Sequence, residues 1–201
     1  MTHTPPKYPN TDWHALLDDK LDDFITDGYT VLDNVFSAEF LHALHHESTH
    51  LPYTPAKLTH GERLQNIRGD GTHWLHDGLA VGRYYLQYID NLGKYFNQSL
   101  FAGIRRAEAH YANYPPNAGY DWHKDNPAGR DERVISAVFY LNQGWQLADG
   151  GCLELIDKHG THHVIDPIMG RLVVFDSNLS HRVQQAHKDR LSIATWLRKD
   201  D

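Results

Sequence analysis

Hydrophobic residues follow two different periodicities in the two halves of the chain. Between residues 11 and 27, and again between 79 and 101, they recur every three or four positions, which is typical of amphipathic helices. From residue 103 onwards, short apolar runs are separated by Gly and Pro turns at regular intervals, the strongest covering 134–141. The pattern predicts a mainly β protein with supporting α-helices and a double-stranded β-helix, or jelly roll, as its core.

Local signals suggest where the first elements begin and end. Thr11 and Ser37 are candidate N-caps of two helices, and Gly28 is a candidate stop between them. We expect a single domain over 1–201. Its parts are an N-terminal helical support at 11–102, with a substrate-loop hairpin near 63–75, and a jelly-roll core at 103–198.

Composition excludes several functional classes. The 201 residues include 19 Lys and Arg against 26 Asp and Glu, a formal net charge of −7, which argues against nucleic-acid binding. No run approaches the roughly 18 apolar residues of a membrane span. Cys152 is the single cysteine, so an intramolecular disulfide is impossible and a reducing, cytoplasmic location is expected.

The candidate chemistry is concentrated in one stretch and two later residues. In an extended segment, residues i and i+2 point the same way, so His123 and Asp125 can aim ligand atoms at one point. His181 offers a third ligand. Two histidines and one carboxylate form the facial triad of non-haem Fe(II) oxygenases. Arg190 follows nine residues later and can hold a carboxylate with its guanidinium fork.

These residues also carry a resemblance to a known family. The chain resembles the prolyl 4-hydroxylase type of 2-oxoglutarate/Fe(II)-dependent dioxygenases, in particular the hypoxia-inducible-factor prolyl hydroxylases and their bacterial relatives. The matching motifs cover roughly residues 60 to 197. They are Ile67-Arg68-Gly69-Asp70, Tyr114-Pro115, Gly119-Tyr120, His123-x-Asp125-Asn126-Pro127, Tyr140-Leu141-Asn142, Gly150-Gly151, His181-x-Val183 and Arg190.

The resemblance implies a metal and cosubstrate site. His123, Asp125 and His181 would bind Fe(II), and Arg190 would hold the distal carboxylate of 2-oxoglutarate. O2 would be the second cosubstrate and ascorbate the reductant. Tyr140 would add its hydroxyl to the same distal carboxylate, Tyr114 would lie near the metal-chelating end of the cosubstrate, and Trp196 would lie near the metal. We expect Val138, Leu153 and Val174 to line the pocket around the far carboxylate.

The resemblance also implies a protein substrate. Arg68 and Asp70 would belong to a mobile loop that closes over a peptide, and Arg133 would lie near the substrate entrance. The implied reaction hydroxylates a prolyl residue while 2-oxoglutarate is converted to succinate and CO2. Elongation factor Tu is the candidate partner, as in the bacterial relatives. One departure is Ala194, which stands where those enzymes carry a small hydroxyl residue near the cosubstrate.

Three alternatives remain open at this stage. The same chemistry could act on a small molecule or a free amino acid. The chain could be a non-catalytic sensor that binds metal and 2-oxoglutarate, although the intact triad argues against it. A structural zinc site of cupin type is the third, but zinc prefers more His or Cys ligands. The sequence does not indicate an oligomeric state.

Overall fold

The computed structural model describes residues 8, 11–56, 68–126 and 130–200. Within them the chain forms four α-helices and eleven β-strands. The helices are α1 (Trp13–Leu17), α2 (Leu21–Asp27), α3 (Ala38–His50) and α4 (Gly82–Leu100), and a short 3-10 turn, Asp18–Lys20, joins the first two. None of these helices is long and apolar enough to cross a membrane.

The strands are all paired antiparallel. They are β1 (Tyr29–Leu32), β2 (Thr54–Pro55), β3 (Gly71–Trp74), β4 (Arg106–Tyr114), β5 (Tyr120–His123), β6 (Arg133–Tyr140), β7 (Leu153–Ile156), β8 (His162–Ile165), β9 (Leu172–Asp176), β10 (His181–Val183) and β11 (Arg190–Arg198). Seven form one sheet in the order β1-β9-β6-β11-β4-β3-β2, and four form a second in the order β5-β10-β7-β8. The expected jelly-roll core is confirmed.

Helix α4 supports one face of the large sheet, as its periodicity indicates. Tyr85, Ile89, Leu92 and Phe96 recur at helical spacing and are fully buried. They share a core with the large sheet. The other face of the large sheet is turned towards the small sheet, and the site described below lies between the two.

The helix ends agree with the sequence signals at Gly28 and Ser37, but the expected first helix begins at a different cap and is divided in two by the 3-10 turn Asp18–Lys20. Gly28 ends α2 in the left-handed conformation, at φ +86°, and the Ser37 side chain caps α3 by accepting from the Phe40 amide. The cap of α1 is Asp12 and not Thr11. The side chain of Asp12 accepts from the Ala15 amide, so the helix begins one residue later than expected.

The expected hairpin near 63–75 is only partly within the described residues, because 57–67 lie outside them. Gly71 is the first residue of β3. Strand β3 pairs with the long strand β4 on one side and with the two-residue β2 on the other. An added Cβ at Gly71 would lie 2.9 Å from the Tyr53 Cβ, so the glycine allows a close approach.

Candidate active site

One cavity of about 540 Å³ opens between the two sheets. Strands β4, β6 and β11 of the large sheet and β5, β7 and β10 of the small sheet contribute side chains to it. Because alternate residues of a strand point the same way, β11 turns Arg190, Ser192, Ala194 and Trp196 to this side. The predicted metal ligands and the predicted carboxylate-binding arginine therefore line the same space.

Sheet register brings the three predicted metal ligands together. His181 of β10 is paired directly with His123 at the end of β5, and their rings are 4.2 Å apart. Asp125 follows β5 by two residues, and its carboxylate oxygens lie 3.9 Å from Nε2 of His123 and 3.7 Å from Nε2 of His181. All three ligand atoms lie within 4.8 Å of one another, close enough to share one metal ion.

Both histidines are oriented as metal ligands. Nδ1 of His123 is 2.8 Å from the Asp121 carbonyl, and Nδ1 of His181 is 3.0 Å from the Leu179 carbonyl. A carbonyl only accepts, so each Nδ1 carries the proton and donates it. Nε2 of each ring is then left with a free lone pair, which is the arrangement that a metal ion requires.

The protonation states also suit a divalent cation. Burial, together with the neighbouring His181, lowers the pKa of His123 to about 3, so its imidazole is neutral. Burial acts to raise the pKa of Asp125, but the two histidines and a hydrogen bond from Ser136 outweigh it and lower the pKa. The site therefore combines the neutral imidazole of His123 and the correctly oriented Nε2 of His181 with one carboxylate held ionised. This donor set fits Fe(II).

Arg190 provides an anion-binding group at the deep end of the cavity. Its side chain is buried, Nε donates to the Gly151 carbonyl at 2.8 Å, and Nη1 donates to the Ser192 hydroxyl at 3.0 Å. Nη2 has no partner, and no carboxylate of a described residue pairs with the guanidinium. A buried cation with a free donor lacks a counter-ion, and the distal carboxylate of 2-oxoglutarate would supply one.

Two tyrosine rings lie against the Arg190 guanidinium. The ring centroids of Tyr114 and Tyr140 are 5.0 and 5.1 Å from its central carbon. The Tyr140 hydroxyl is buried and has no hydrogen-bond partner among the described residues, and burial raises its pKa to about 12, so it keeps its proton. It is therefore a second unused donor beside Arg190. Together these two orphaned donors fit the carboxylate of the cosubstrate.

The wall around this end corrects one expectation. Val138 and Leu153 line the cavity as predicted, but Val174 does not. Val174 packs into the core on the α4 side of the sheet, and its neighbour Phe175 faces the cavity instead. Strand β9 is apolar on both faces, so the sequence gives no alternation from which to read the face.

The predicted substrate residues lie at the outer end of the cavity. Arg68 lines it and forms a two-point ion pair with Asp70, at 2.7 and 3.1 Å. Asp70 is buried behind Arg68 and does not line the cavity, so it acts by holding Arg68. Arg68 lies over the Tyr120 ring at 4.8 Å, and that ring stacks on His123 at 3.6 Å.

Arg133 and Trp196 form the opposite side of the outer end. The guanidinium of Arg133 lies 3.9 Å from the Trp196 ring and donates to the backbone carbonyl of Asp125. Its other nitrogen donates to Glu108, which also accepts from Arg198 at 2.7 Å. Trp196 thus lies close to the metal site, as predicted, and the Arg133 side chain is fixed to a metal ligand's backbone.

Some residues of the site were not assigned a role from the sequence. Ser136 orients Asp125, Ser192 and Gly151 hold Arg190, and Glu108 holds Arg133. Ser192 could have been found, because it lies two positions from Arg190 on a predicted strand and must share its face. Glu108 could not, because its contact with Arg133 depends on the packing of β4, β11 and β6 side by side.

Comparison with known proteins agrees with this geometry. Residues 109–198 match the sequence profile of the 2OG-Fe(II) oxygenase superfamily. A hypoxia-inducible factor prolyl hydroxylase of Caenorhabditis elegans is 30% identical over 190 residues, covering 84% of this chain and 26% of that protein. The chain spans about a quarter to three fifths of the length of the curated relatives it matches.

Two solved structures are similar over most of their length. A Pseudomonas putida prolyl-4-hydroxylase is 37% identical, with a TM-score of 0.82, over 89% of this chain and 96% of that one. A Trichoplax adhaerens prolyl hydroxylase, solved with a hypoxia inducible factor oxygen degradation domain peptide fragment, is 26% identical. Its TM-score is 0.84, over 89% of this chain and 87% of that one.

Proposed function

The chain belongs to the 2OG-Fe(II) oxygenase superfamily, and from this premise we propose that it is a prolyl 4-hydroxylase acting on a protein substrate. One observation carries the proposal. A triad of neutral His123, ionised Asp125 and His181 shares a cavity with a buried arginine that pairs with no carboxylate of a described residue. The triad fits Fe(II) and the arginine fits a carboxylate. One molecule of 2-oxoglutarate, the family's cosubstrate, would contact both.

Each end of the cavity has its own task in this reaction. At the deep end, Arg190 and Tyr140 would bind the distal carboxylate of 2-oxoglutarate and so orient its other end towards the triad. Bound there, Fe(II) and 2-oxoglutarate would supply the activation of O2, with loss of CO2, formation of succinate and transfer of one oxygen atom to a C–H bond. The burial of Asp125 and His181 would limit the access of bulk water to that oxygen transfer.

The outer end favours a residue carried on a polypeptide. Trp74 is half exposed at the rim, and Arg130 and Arg133 extend the lining outwards from the metal site. An aromatic and cationic rim of this kind can border a chain that enters from solvent. As the candidate substrate we name elongation factor Tu, on the resemblance to bacterial prolyl hydroxylases.

The test is turnover of 2-oxoglutarate to succinate with Fe(II) and ascorbate. It is run with and without a prolyl peptide from the switch region of elongation factor Tu, and with the same peptide carrying alanine in place of proline. We expect stimulation by the prolyl peptide alone, and mass spectrometry should locate one added oxygen atom on its proline. The His181→Ala variant, which lacks a metal ligand, should give neither result.

Other outcomes would contradict the proposal at different levels. Turnover without stimulation by any prolyl peptide, together with oxygen transfer to a free amino acid or small molecule, would keep the chemistry and overturn the substrate class. Tight binding of metal and 2-oxoglutarate with no succinate formed would instead favour a sensor.

A further inference from the structure

A third unpartnered polar group lines the cavity, and 2-oxoglutarate does not account for it. Among the described residues, Nδ1 of His110 has no hydrogen-bond partner; it is buried, and His110 as a whole is 2% exposed. Its side chain lines the cavity from β4, four residues before Tyr114 on the same face. Unpaired buried nitrogens are rare and costly, so this one calls for a partner that enters the cavity.

The ring of His110 is fixed between two tryptophans at the outer end. Its centroid is 5.0 Å from that of Trp74 and 5.2 Å from that of Trp196. Arg133 covers Trp196 from its own side at 3.9 Å, so the four side chains form a continuous wall. This wall lies on the side of the cavity where the acceptor substrate would enter.

The residue directly across from His110 explains why its nitrogen is free. In the pairing of β4 with β11, His110 lies opposite Ala194, which has no polar side-chain atom. A hydroxyl residue at this position could reach the imidazole, since directly opposed side chains approach to about 5 Å. Ala194 removes that internal partner and leaves the hydrogen-bonding capacity of the ring to a ligand.

The charge state of His110 limits what it can bind. Burial, followed by the nearby Arg68 and Arg133, lowers its pKa to about 3, while Asp125 acts in the opposite direction. The imidazole is therefore neutral at physiological pH and has one donor and one acceptor nitrogen. A neutral ring suits an uncharged peptide group better than it suits an anion.

We propose that His110 is a specificity-determining residue that donates a hydrogen bond from Nδ1 to a backbone carbonyl of the substrate polypeptide. A prolyl residue has no N–H, so its own backbone can only accept, and a donor is the group that recognises it. Trp74 and Trp196 border the bound segment on either side of this hydrogen bond. The inference rests on the proposed prolyl hydroxylase function and adds a residue that selects the acceptor.

The test compares two substitutions of one side chain. His110→Phe keeps a flat ring and removes both nitrogens, whereas His110→Asn keeps a polar group near the position of Nδ1. The probe is the peptide that wild type hydroxylates, and its dissociation constant is measured by calorimetry in protein loaded with Zn(II) and 2-oxoglutarate, which prevents turnover. We expect the constant to rise about tenfold in His110→Phe and less than threefold in His110→Asn.

A second measurement separates substrate recognition from a general structural role. The dissociation constant of 2-oxoglutarate is measured in the same proteins and should change less than twofold in both variants. In protein labelled with ¹⁵N-histidine, the Nδ1 resonance of His110, assigned by its absence in His110→Phe, should shift when the peptide is added. His110→Phe should fold, because it removes a buried nitrogen that has no partner.

The possible failures are distinguishable. If wild type hydroxylates no peptide, the proposed function falls and this inference falls with it. If wild type hydroxylates a peptide that His110→Phe binds equally well, or whose addition leaves the Nδ1 resonance in place, the inference alone is overturned. Equal weakening of peptide and 2-oxoglutarate binding would likewise overturn it, because His110 would then only shape the cavity.

Discussion

The arginines at the two ends of the cavity differ in whether a carboxylate of the protein pairs with them. At the deep end, Arg190 is buried, pairs with no carboxylate of a described residue, and keeps one nitrogen free. At the outer end, Arg68 is paired with Asp70, Arg133 with Glu108, and Arg198 with both Glu108 and Asp200. The deep end is therefore incomplete without an anion, whereas the outer end is electrically satisfied by the protein itself.

This difference indicates how two substrates can be distinguished in one cavity. A buried cation without a counter-ion binds a carboxylate through charge, and the fork of a guanidinium fixes its orientation. A rim whose charges are already paired has little net attraction for a free anion. It can recognise a peptide through ring contacts and hydrogen bonds, as proposed for His110.

Removing the unpaired cation should have the largest effect. In Arg190→Leu, the carboxylate of 2-oxoglutarate would enter a buried site without a partner, at a cost of about 3 kcal/mol or more. We expect its dissociation constant to rise at least about 100-fold, measured by calorimetry without O2 on the metal-loaded protein. Arg198→Leu is the matched control at the rim and should change the constant less than about twofold. Similar losses in both variants would contradict the contrast.

The buried neutral His110 should make the protein sensitive to acid. Burial places its folded-state pKa at about 3, below the value of about 6.5 in an unfolded chain. Below pH 6.5 the unfolded state therefore binds the proton first, and stability falls with falling pH until the folded form also titrates near pH 3. Between pH 7 and pH 5 this residue alone should reduce the free energy of unfolding by about 2 kcal/mol.

Urea unfolding at the two pH values, on wild type and His110→Phe, isolates this contribution. Other groups titrate in both proteins and cancel in the difference. We expect the variant to lose about 2 kcal/mol less than wild type between pH 7 and pH 5. Parallel losses would show that His110 is accessible to protons in the folded protein.

The metal ligands and the predicted carboxylate-binding arginine were largely predictable from the sequence, because short-range spacing relates residues within each group. His123 and Asp125 are two residues apart, and Arg190 shares a strand face with the missed Ser192. The types of the three residues predict a facial triad, but only the structure shows that His181 lies beside His123. Its direct pairing with His123 is a property of sheet register.

The outer end was less predictable because its contacts cross several strands. Glu108 on β4 reaches Arg133 on β6 across the intervening β11, and His110 lies against Trp74 on the other neighbour of β4. The periodicity of the sequence does not indicate which strands are adjacent in the sheet. The expectation that Val174 lines the cavity was wrong for a similar reason. A strand buried on both faces gives no sign of which side chains face the cavity.

The smallest predicted effect concerns a single hydroxyl at the deep end. Within the part of the chain that the structure describes, the buried Tyr140 hydroxyl has no partner, whereas the Tyr85 hydroxyl, on the opposite face of the large sheet, lies 3.2 Å from the Thr195 hydroxyl. Tyr140→Phe removes a donor that only the cosubstrate can use, so it should weaken 2-oxoglutarate binding by about 1 kcal/mol and leave the stability of the free protein unchanged or higher. Tyr85→Phe breaks an internal hydrogen bond, so it should do the reverse, lowering stability by about 1 kcal/mol with the 2-oxoglutarate affinity retained. Calorimetric titration with 2-oxoglutarate and urea unfolding give a dissociation constant and a free energy of unfolding for each variant. Loss of stability in Tyr140→Phe with unchanged binding would mean that its hydroxyl serves the fold, and that Arg190 alone defines the carboxylate site.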